Sequence, residues 1–295
     1  MAGADRAGSV DPVDREHCAM NHEFILEFEQ VTYAYPDHAQ PALDGLTLAL
    51  PAGRRIAILG HNGAGKSSLF LHCNGVLRPD SGVVRFNGMP LDYSRSGLLA
   101  LRRHVGVVFQ NADDQLFSAG VAQDISFGPL NLGLSGAEVR RRVQVVAEQC
   151  ELQHVLDRPT HALSGGEKAR AALAGVLAMG PNVLLVDEPT ASLDPLMRRQ
   201  VFTIFQELVS QGKTIILATH EMEIARHWAD YIVVMDGGRV LGAGHRATIL
   251  ADHALLARIG MDRPWYEPFL QDYASAAQTL SGTYGSSSSQ TPMAS

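Results

Sequence analysis

An apolar run, Arg55-Ile56-Ala57-Ile58-Leu59, leads directly into Gly60-His61-Asn62-Gly63-Ala64-Gly65-Lys66-Ser67. The run reads as a buried strand. The G-x-x-x-x-G-K-[ST] spacing after it marks a turn into a helix, where successive N–H groups converge on one spot and stabilise polyphosphate charge. Glycine at 60, 63 and 65 permits positive φ and lets phosphate approach the backbone with no Cβ in the way. Lys66 offers a mobile point charge to the β- and γ-phosphates, and Ser67 offers a hydroxyl to Mg²⁺, which takes oxygen ligands. A Gly-rich turn without a ligand is the plainer alternative, and the complete motif spacing weighs against it. The chain is expected to bind a nucleoside triphosphate.

The 295 residues suffice for one large domain or two small ones, and 46% apolar content can bury a sizeable core. A net charge of −7 leaves no basic footprint for nucleic acid, so no nucleic-acid partner is expected. Cys18, Cys73 and Cys150 are widely spaced, which suggests neither a disulfide framework nor a zinc site and suits a reducing cytosol. No stretch of about 18 or more apolar residues is present, and the first residues lack the apolar segment of a secretory signal. A role at a membrane would be played from its surface.

Residues 1–22 and 281–295 are polar or Gly/Ser-rich and are expected to be disordered. Phe24–Phe28 and Leu46–Leu50 read as paired strands, and Gly82–Gly88 as another strand with a turn, forming a small antiparallel sheet. Val105–Phe109, Val183–Val186, Thr214–Ala218 and Tyr231–Met235 are continuous apolar runs, as strands covered on both faces are. They alternate with helix-length segments. The expected fold class is α/β, a mostly parallel core sheet with helices, the small antiparallel β subdomain, and an inserted helical subdomain at about 112–163. Arg140-Arg141-Arg142 reads as a solvated helix face rather than a binding patch.

Val183-Leu184-Leu185-Val186-Asp187-Glu188 ends an apolar strand in two carboxylates. Beside a P-loop, that places Asp187 in the Mg²⁺ shell and Glu188 at the γ-phosphate, where it could accept a proton from the attacking water or orient it. Leu163-Ser164-Gly165-Gly166-Glu167 lies upstream, Tyr35 precedes the P-loop, Gln110 ends a strand, Ser192-Leu193-Asp194 follows the acidic pair, and His220 ends the next strand. In this order, from about Phe24 to Gly244, the chain resembles the ATP-binding cassette (ABC) ATPases.

The resemblance implies a P-loop ABC ATPase domain at 23–244 and two such domains sandwiching two ATP molecules. Gly60, His61, Asn62, Gly63, Ala64, Gly65, Lys66, Ser67 and Ser68 of one copy would face Ser164, Gly165, Gly166 and Glu167 of the other. It further implies that Tyr35 stacks on adenine, with Tyr33 as the rival ring. Ser67, Gln110 and Asp187 would hold Mg²⁺, and His220 would bind the γ-phosphate and position Glu188 and water. Glu188, His220, Lys66 and Gln110 form the implied catalytic set, and Asp194 is expected to contact the opposite subunit. Glu167 stands where many relatives have Gln, which adds a negative charge near the sandwich interface, and Ser68 stands where Thr is common.

Asn111-Ala112-Asp113-Asp114-Gln115-Leu116-Phe117, then Asp124–Pro129 and Asn131–Leu134, resemble energy-coupling-factor transporter ATPases, especially the cobalt and nickel group. That implies a transmembrane scaffold subunit gripped by a groove with Leu116 and Phe117, Asp113 and Asp114 pairing with its basic residues. A first-turn helix role is the plainer reading of the two acids. It also implies a substrate-specific membrane component and a location on the cytoplasmic face of the membrane. The pair of ATPase subunits would be a homodimer or a heterodimer with a paralogue. A vitamin importer, another ABC transporter class and a soluble non-transport ABC ATPase remain alternatives. The twelve His residues lack ligand spacing, so the transported metal is not expected to bind here. Residues 245–280 are expected to form a helical appendage.

Overall fold

The computed structural model describes residues 23–36, 38–188 and 193–262. The disordered ends expected at 1–22 and 281–295, the appendage beyond 262, and Ser192 lie outside the described residues.

Two sheets form the core. In the first, β1 (Phe24–Tyr33), β2 (Leu43–Pro51), β4 (Ser81–Phe86) and β5 (Met89–Pro90) run antiparallel in the order β2-β1-β4-β5. This is the small sheet expected from the sequence, with β1 and β2 longer than expected and the short β5 added. The second has the order β10-β9-β3-β8-β7-β6, from β3 (Arg55–Leu59), β6 (Val105–Val108), β7 (Val183–Asp187), β8 (Thr214–Thr219), β9 (Tyr231–Asp236) and β10 (Arg239–His245). All its pairings are parallel except β9 with β10. Every residue of β7 and β8 is buried, as the continuous apolar runs require of strands covered on both faces.

Helix α1 (Lys66–Cys73) leaves the end of β3 and sinks Leu69 and Phe70 into the core. Burying one such side chain stabilises by about 1.5–3 kcal/mol. One continuous core joins the two sheets, with Leu26, Phe28 and Leu50 packed in the same cluster as Ile56, Ile58, Leu185 and Val233. Because the sheet is parallel, Leu59 lies opposite Thr219 and Ala218 opposite Asp187. The carboxyl ends of β3, β8, β7 and β6 therefore open on one edge, where open α/β sheets bind ligands.

After α2 (Arg95–His104) and β6, the inserted segment carries α3 (Val121–Asn131) and α4 (Gly136–Gln149), followed by α5 (Gly165–Met179). In α4, Val139, Val143, Val146 and Ala147 form the buried stripe of an amphipathic helix. The Arg140–Arg142 reading needs one correction. Arg140 and Arg141 are exposed, but Arg142 donates to Glu138 and to the carbonyls of Ala178 and Met179, tying α4 to the last turn of α5. It supplies the cation that satisfies C-terminal carbonyls.

Helix α6 (Pro195–Ser210) precedes β8 and α7 (Met222–His227) precedes β9. A second compact unit begins at Leu250, after most of α8 (Arg246–Ala251). Its described part holds α9 (His253–Arg258), capped by Asp252 through the Leu255 N–H at 2.9 Å, with Leu255 and Leu256 buried. No helix among the described residues is long and apolar enough to cross a membrane.

Candidate active site

The P-loop wraps the end of β3. Gly65, the residue before α1, has φ 99° and Gly63 has φ 84°. Gly60 differs from expectation. Its φ is not in the left-handed region, and its lack of a side chain is required by packing, since a Cβ there would lie 2.5 Å from the Met235 carbonyl oxygen. The turn between β9 and β10 also backs the loop, with the Gly238 N–H donating to Ala64 O at 3.1 Å. No side chain caps α1, so no side chain competes for the N–H groups of its first turn.

Lys66 is only 6% exposed and folds back over the loop, donating from Nζ to Gly60 O at 2.7 Å and His61 O at 3.1 Å. Burial lowers its pKa, and the nearby Glu188 and Asp187 work in the opposite direction. Asp187 ends β7 and its Oδ2 accepts the Ser67 hydroxyl at 2.5 Å. Burial raises the Asp187 pKa, a tendency that Glu188 reinforces and that Ser67 and Lys66 oppose.

Glu188 is 5% exposed, and its backbone turns left-handed with φ 47°, while its N–H still donates to Ala218 O at 3.0 Å. A non-glycine residue held there costs of order 1–3 kcal/mol and persists only where its surroundings over-determine it. The turn brings Oε1 to 2.9 Å from His220 Nδ1 and 3.9 Å from Lys66 Nζ. Thr219, last in β8, accepts the Glu221 N–H at 3.0 Å and fixes the exit that carries His220, which stays 57% exposed.

Tyr35 lines the same cleft with His38, Gln40, Pro41 and Ala42, beside the P-loop, Gln110, Asp187 and Glu188. Its hydroxyl lies 3.2 Å from Ser68 Oγ. Tyr33 instead packs against the core and does not line the cleft. Gln110 stands two residues past the end of β6, is exposed and lines the cleft.

Ser164, Gly165, Gly166 and Glu167 lie at the start of α5, outside this cleft. Ser164 caps the helix, and Glu167 completes a capping box, its Oε2 accepting the Ser164 N–H and hydroxyl at 2.8 Å each. Those bonds lower the Glu167 pKa, and His154 stands 3.4 Å away. The extra charge relative to Gln is therefore met within the chain. A Cβ on Gly165 or Gly166 would meet nothing within 4 Å, so no group of this chain crowds the turn. Asp194 caps α6 through the Leu196 and Met197 N–H groups.

Sequence reasoning assigned Gln115 and Asp124 no role beyond the family-like stretches in which they stand. Gln115 accepts the Phe109 N–H at 3.0 Å and donates to Ala172 O at 2.9 Å, linking the strand before Gln110 to α5. The buried Asp124 accepts from Phe117 and Ser118 N–H at 3.0 and 2.7 Å. A polar residue opening an apolar helix was the available signal for Asp124; Gln115 carried none. Asp113 is already paired with Lys168 at 2.6 Å and so is committed within the chain. Phe117, 65% exposed, lines an apolar groove with Leu99, Phe109, Phe127 and Met179, whereas Leu116 does not line it.

The family model described as "ABC transporter" matches residues 43–191. This chain belongs to the ABC transporter ATPases. The cobalt import ATP-binding protein CbiO of Rhodobacter capsulatus is 50% identical over 240 residues, 81% of this chain and 85% of that protein. The energy-coupling factor transporter ATP-binding protein EcfA3 of Clostridium perfringens is 42% identical over 243 residues, 82% of this chain and 85% of that one. The solved structure of cbiO1 from Clostridium perfringens, described as part of the ABC transporter complex cbiONQ, matches with a TM-score of 0.70 and 41% identity. The match covers 84% of this chain and 99% of that chain. The ABC ATPase described here is of the energy-coupling-factor type and hydrolyses ATP to power transport.

Proposed function

We propose that this ABC ATPase is the motor subunit of a metal-ion importer, cobalt being the favoured cargo and nickel the rival, and that it works as a nucleotide-sandwich homodimer. The 50% identity to a cobalt import ATP-binding protein supports the cargo. One observation carries the dimer: Lys66, Asp187, Glu188 and Gln110 line one cleft, while the Ser164–Glu167 turn stands outside it. A second copy's turn would complete each site, closing over the γ-phosphate and excluding water.

ATP lies in this reading with its base on Tyr35 and its phosphates in the Gly60–Ser68 cradle. Ser67, Asp187 and Gln110 offer oxygen donors suited to Mg²⁺. No cluster of three His, Cys, Asp or Glu occurs among the described residues, which fits an ion held by one carboxylate and substrate phosphates. Held by these residues, such an ion would supply positive charge to offset that of the phosphates. Glu188 takes the proton of the attacking water, His220 holds Oε1 in place and reaches the γ-phosphate, and Lys66 turns from the loop carbonyls to the phosphates.

The exposed groove around Phe117 and Phe127 receives a helix of a transmembrane scaffold at the cytoplasmic face, with Asp114 left to meet its basic residues. The test is purification from detergent-solubilised host membranes, mass spectrometry of the partners, and ATP-driven uptake of Co²⁺ or Ni²⁺ by the reconstituted complex. Cobalt uptake with a small scaffold and a metal-specific membrane component is expected. A conventional permease would move the assignment to another transporter class, and ribosomal or DNA partners alone would overturn it.

A further inference from the structure

The geometry points to His72 as a positioning residue for base recognition: through Tyr33 it holds Tyr35 at the angle that meets the purine. This rests on the reading above of Tyr35 as the base-stacking ring. His72 lies one turn beyond Ser68 in α1 and is completely buried. Its Nδ1 is 2.7 Å from the Ser68 carbonyl oxygen, which can only accept, so Nδ1 carries a proton. Burial lowers the pKa, which keeps the ring neutral and leaves Nε2 a bare acceptor. Nε2 has no partner among the described residues. A buried polar atom left unmet is costly, and an apolar residue would fill the same place without that cost.

What the imidazole supplies is a ring locked in rotation by one hydrogen bond to the P-loop helix. Tyr33 packs on it nearly perpendicular, with centroids 4.9 Å apart at 72°. Tyr35 packs on Tyr33 in the same way, at 5.1 Å and 83°. The chain then closes, because the Tyr35 hydroxyl lies 3.2 Å from Ser68 Oγ. Ser68 thus anchors both ends: its carbonyl fixes His72 and its hydroxyl fixes Tyr35. Edge-to-face pairs have a preferred geometry, so three rings in sequence transmit orientation rather than mere bulk. The base-stacking ring is set from the first turn of the helix that carries Lys66 and Ser67, which registers the purine against the phosphates.

The experiment compares ATP with inorganic tripolyphosphate, which presents the phosphates without a base, by calorimetric titration of the full-length chain. The variants are His72→Phe, Tyr33→Leu and Tyr35→Ala, and the ligand-free thermal midpoint is recorded for each. His72→Phe is expected to weaken ATP about five-fold, the scale of one aromatic contact, and to leave tripolyphosphate unchanged. Tyr33→Leu, on another element, should do the same and carries the test if His72→Phe does not fold. Equal losses for ATP and tripolyphosphate, or a lowered midpoint with unaltered ATP affinity, would show a structural role and overturn the proposal. Loss of ATP affinity in Tyr35→Ala alone would also overturn it. If Tyr35→Ala leaves ATP affinity intact, the stacking assignment itself fails.

Discussion

His220 Nδ1 stands 2.9 Å from Oε1 of Glu188, while Oε2 of the same carboxylate is buried with no partner among the described residues. One oxygen is held and the other has no protein partner, which is consistent with the proton-accepting role proposed for Glu188. Glu188→Gln keeps the shape and removes the basicity. Hydrolysis is expected to fall by about 10²–10⁴-fold, the range for a positioned general base, with ATP binding retained and the closed dimer trapped. Single-turnover hydrolysis and gel filtration with ATP check this; rapid turnover in the variant removes Glu188 from its role.

Lys66 offers a different separation. Its ammonium is buried against loop carbonyls and its pKa is lowered by that burial, so the charge adds little to the stability of the fold itself. Lys66→Ala should weaken ATP at least about ten-fold, the loss of one charge-assisted contact to phosphate, while the ligand-free thermal midpoint stays near that of the parent. Calorimetric titration and thermal unfolding of the same samples measure both. Undiminished ATP affinity would count against the phosphate assignment.

Much of this arrangement was legible because its parts are local in sequence. A strand, a glycine-rich turn and a helix start are contiguous at Ile56–Ser67, and the Val183–Glu188 run carries its own exit carboxylates. What sequence did not reveal was support from distant backbone. That Gly60 must lack a Cβ because Met235 O lies behind it, or that Gly238 holds Ala64, depends on which strands become neighbours. Which of Tyr33 and Tyr35 lines the cleft likewise depends on packing, since one ring faces the core and the other the cleft. The sequence reads Arg142 as solvated and Asp113 as a first-turn or scaffold-facing acid, because nothing in their segments announces the carbonyls of α5 or Lys168 as partners.

The Arg55–Asp230 pair gives a pH-dependent prediction outside the site. Arg55 donates to both Asp230 oxygens, at 3.0 and 2.6 Å, and locks the start of β3 beside that of β9. Those bonds hold the Asp230 carboxyl below its ordinary value, against the effect of burial. A depressed folded pKa contributes stability that is present above the unfolded value and lost as pH falls through the folded one. Asp230→Asn should therefore destabilise by about 1–2 kcal/mol at pH 7, the scale of a partly exposed bidentate pair. The gap from the parent should close as pH drops below the ordinary aspartate range. Urea unfolding at neutral and acidic pH reads both values, and a gap that widens on acidification would reverse the sign.

Phe117 and Phe127 meet edge to face with centroids 4.6 Å apart on the groove surface, 65% and 47% exposed. Their mutual contact contributes about 0.5–1.5 kcal/mol at most, which does not account for leaving two large rings in solvent. Exposed aromatics beside an apolar groove instead mark an interface whose energy is concentrated in a few anchors. Phe117→Ser is therefore expected to destabilise the isolated chain by no more than about 1.5 kcal/mol, the loss of that one contact, and to leave its ATP affinity unchanged. It should reduce capture of the membrane scaffold by at least about ten-fold, the loss of one aromatic anchor. Quantitative co-purification from membranes expressing parent or variant measures this. Equal capture by the two would move the membrane contact to another face of the molecule.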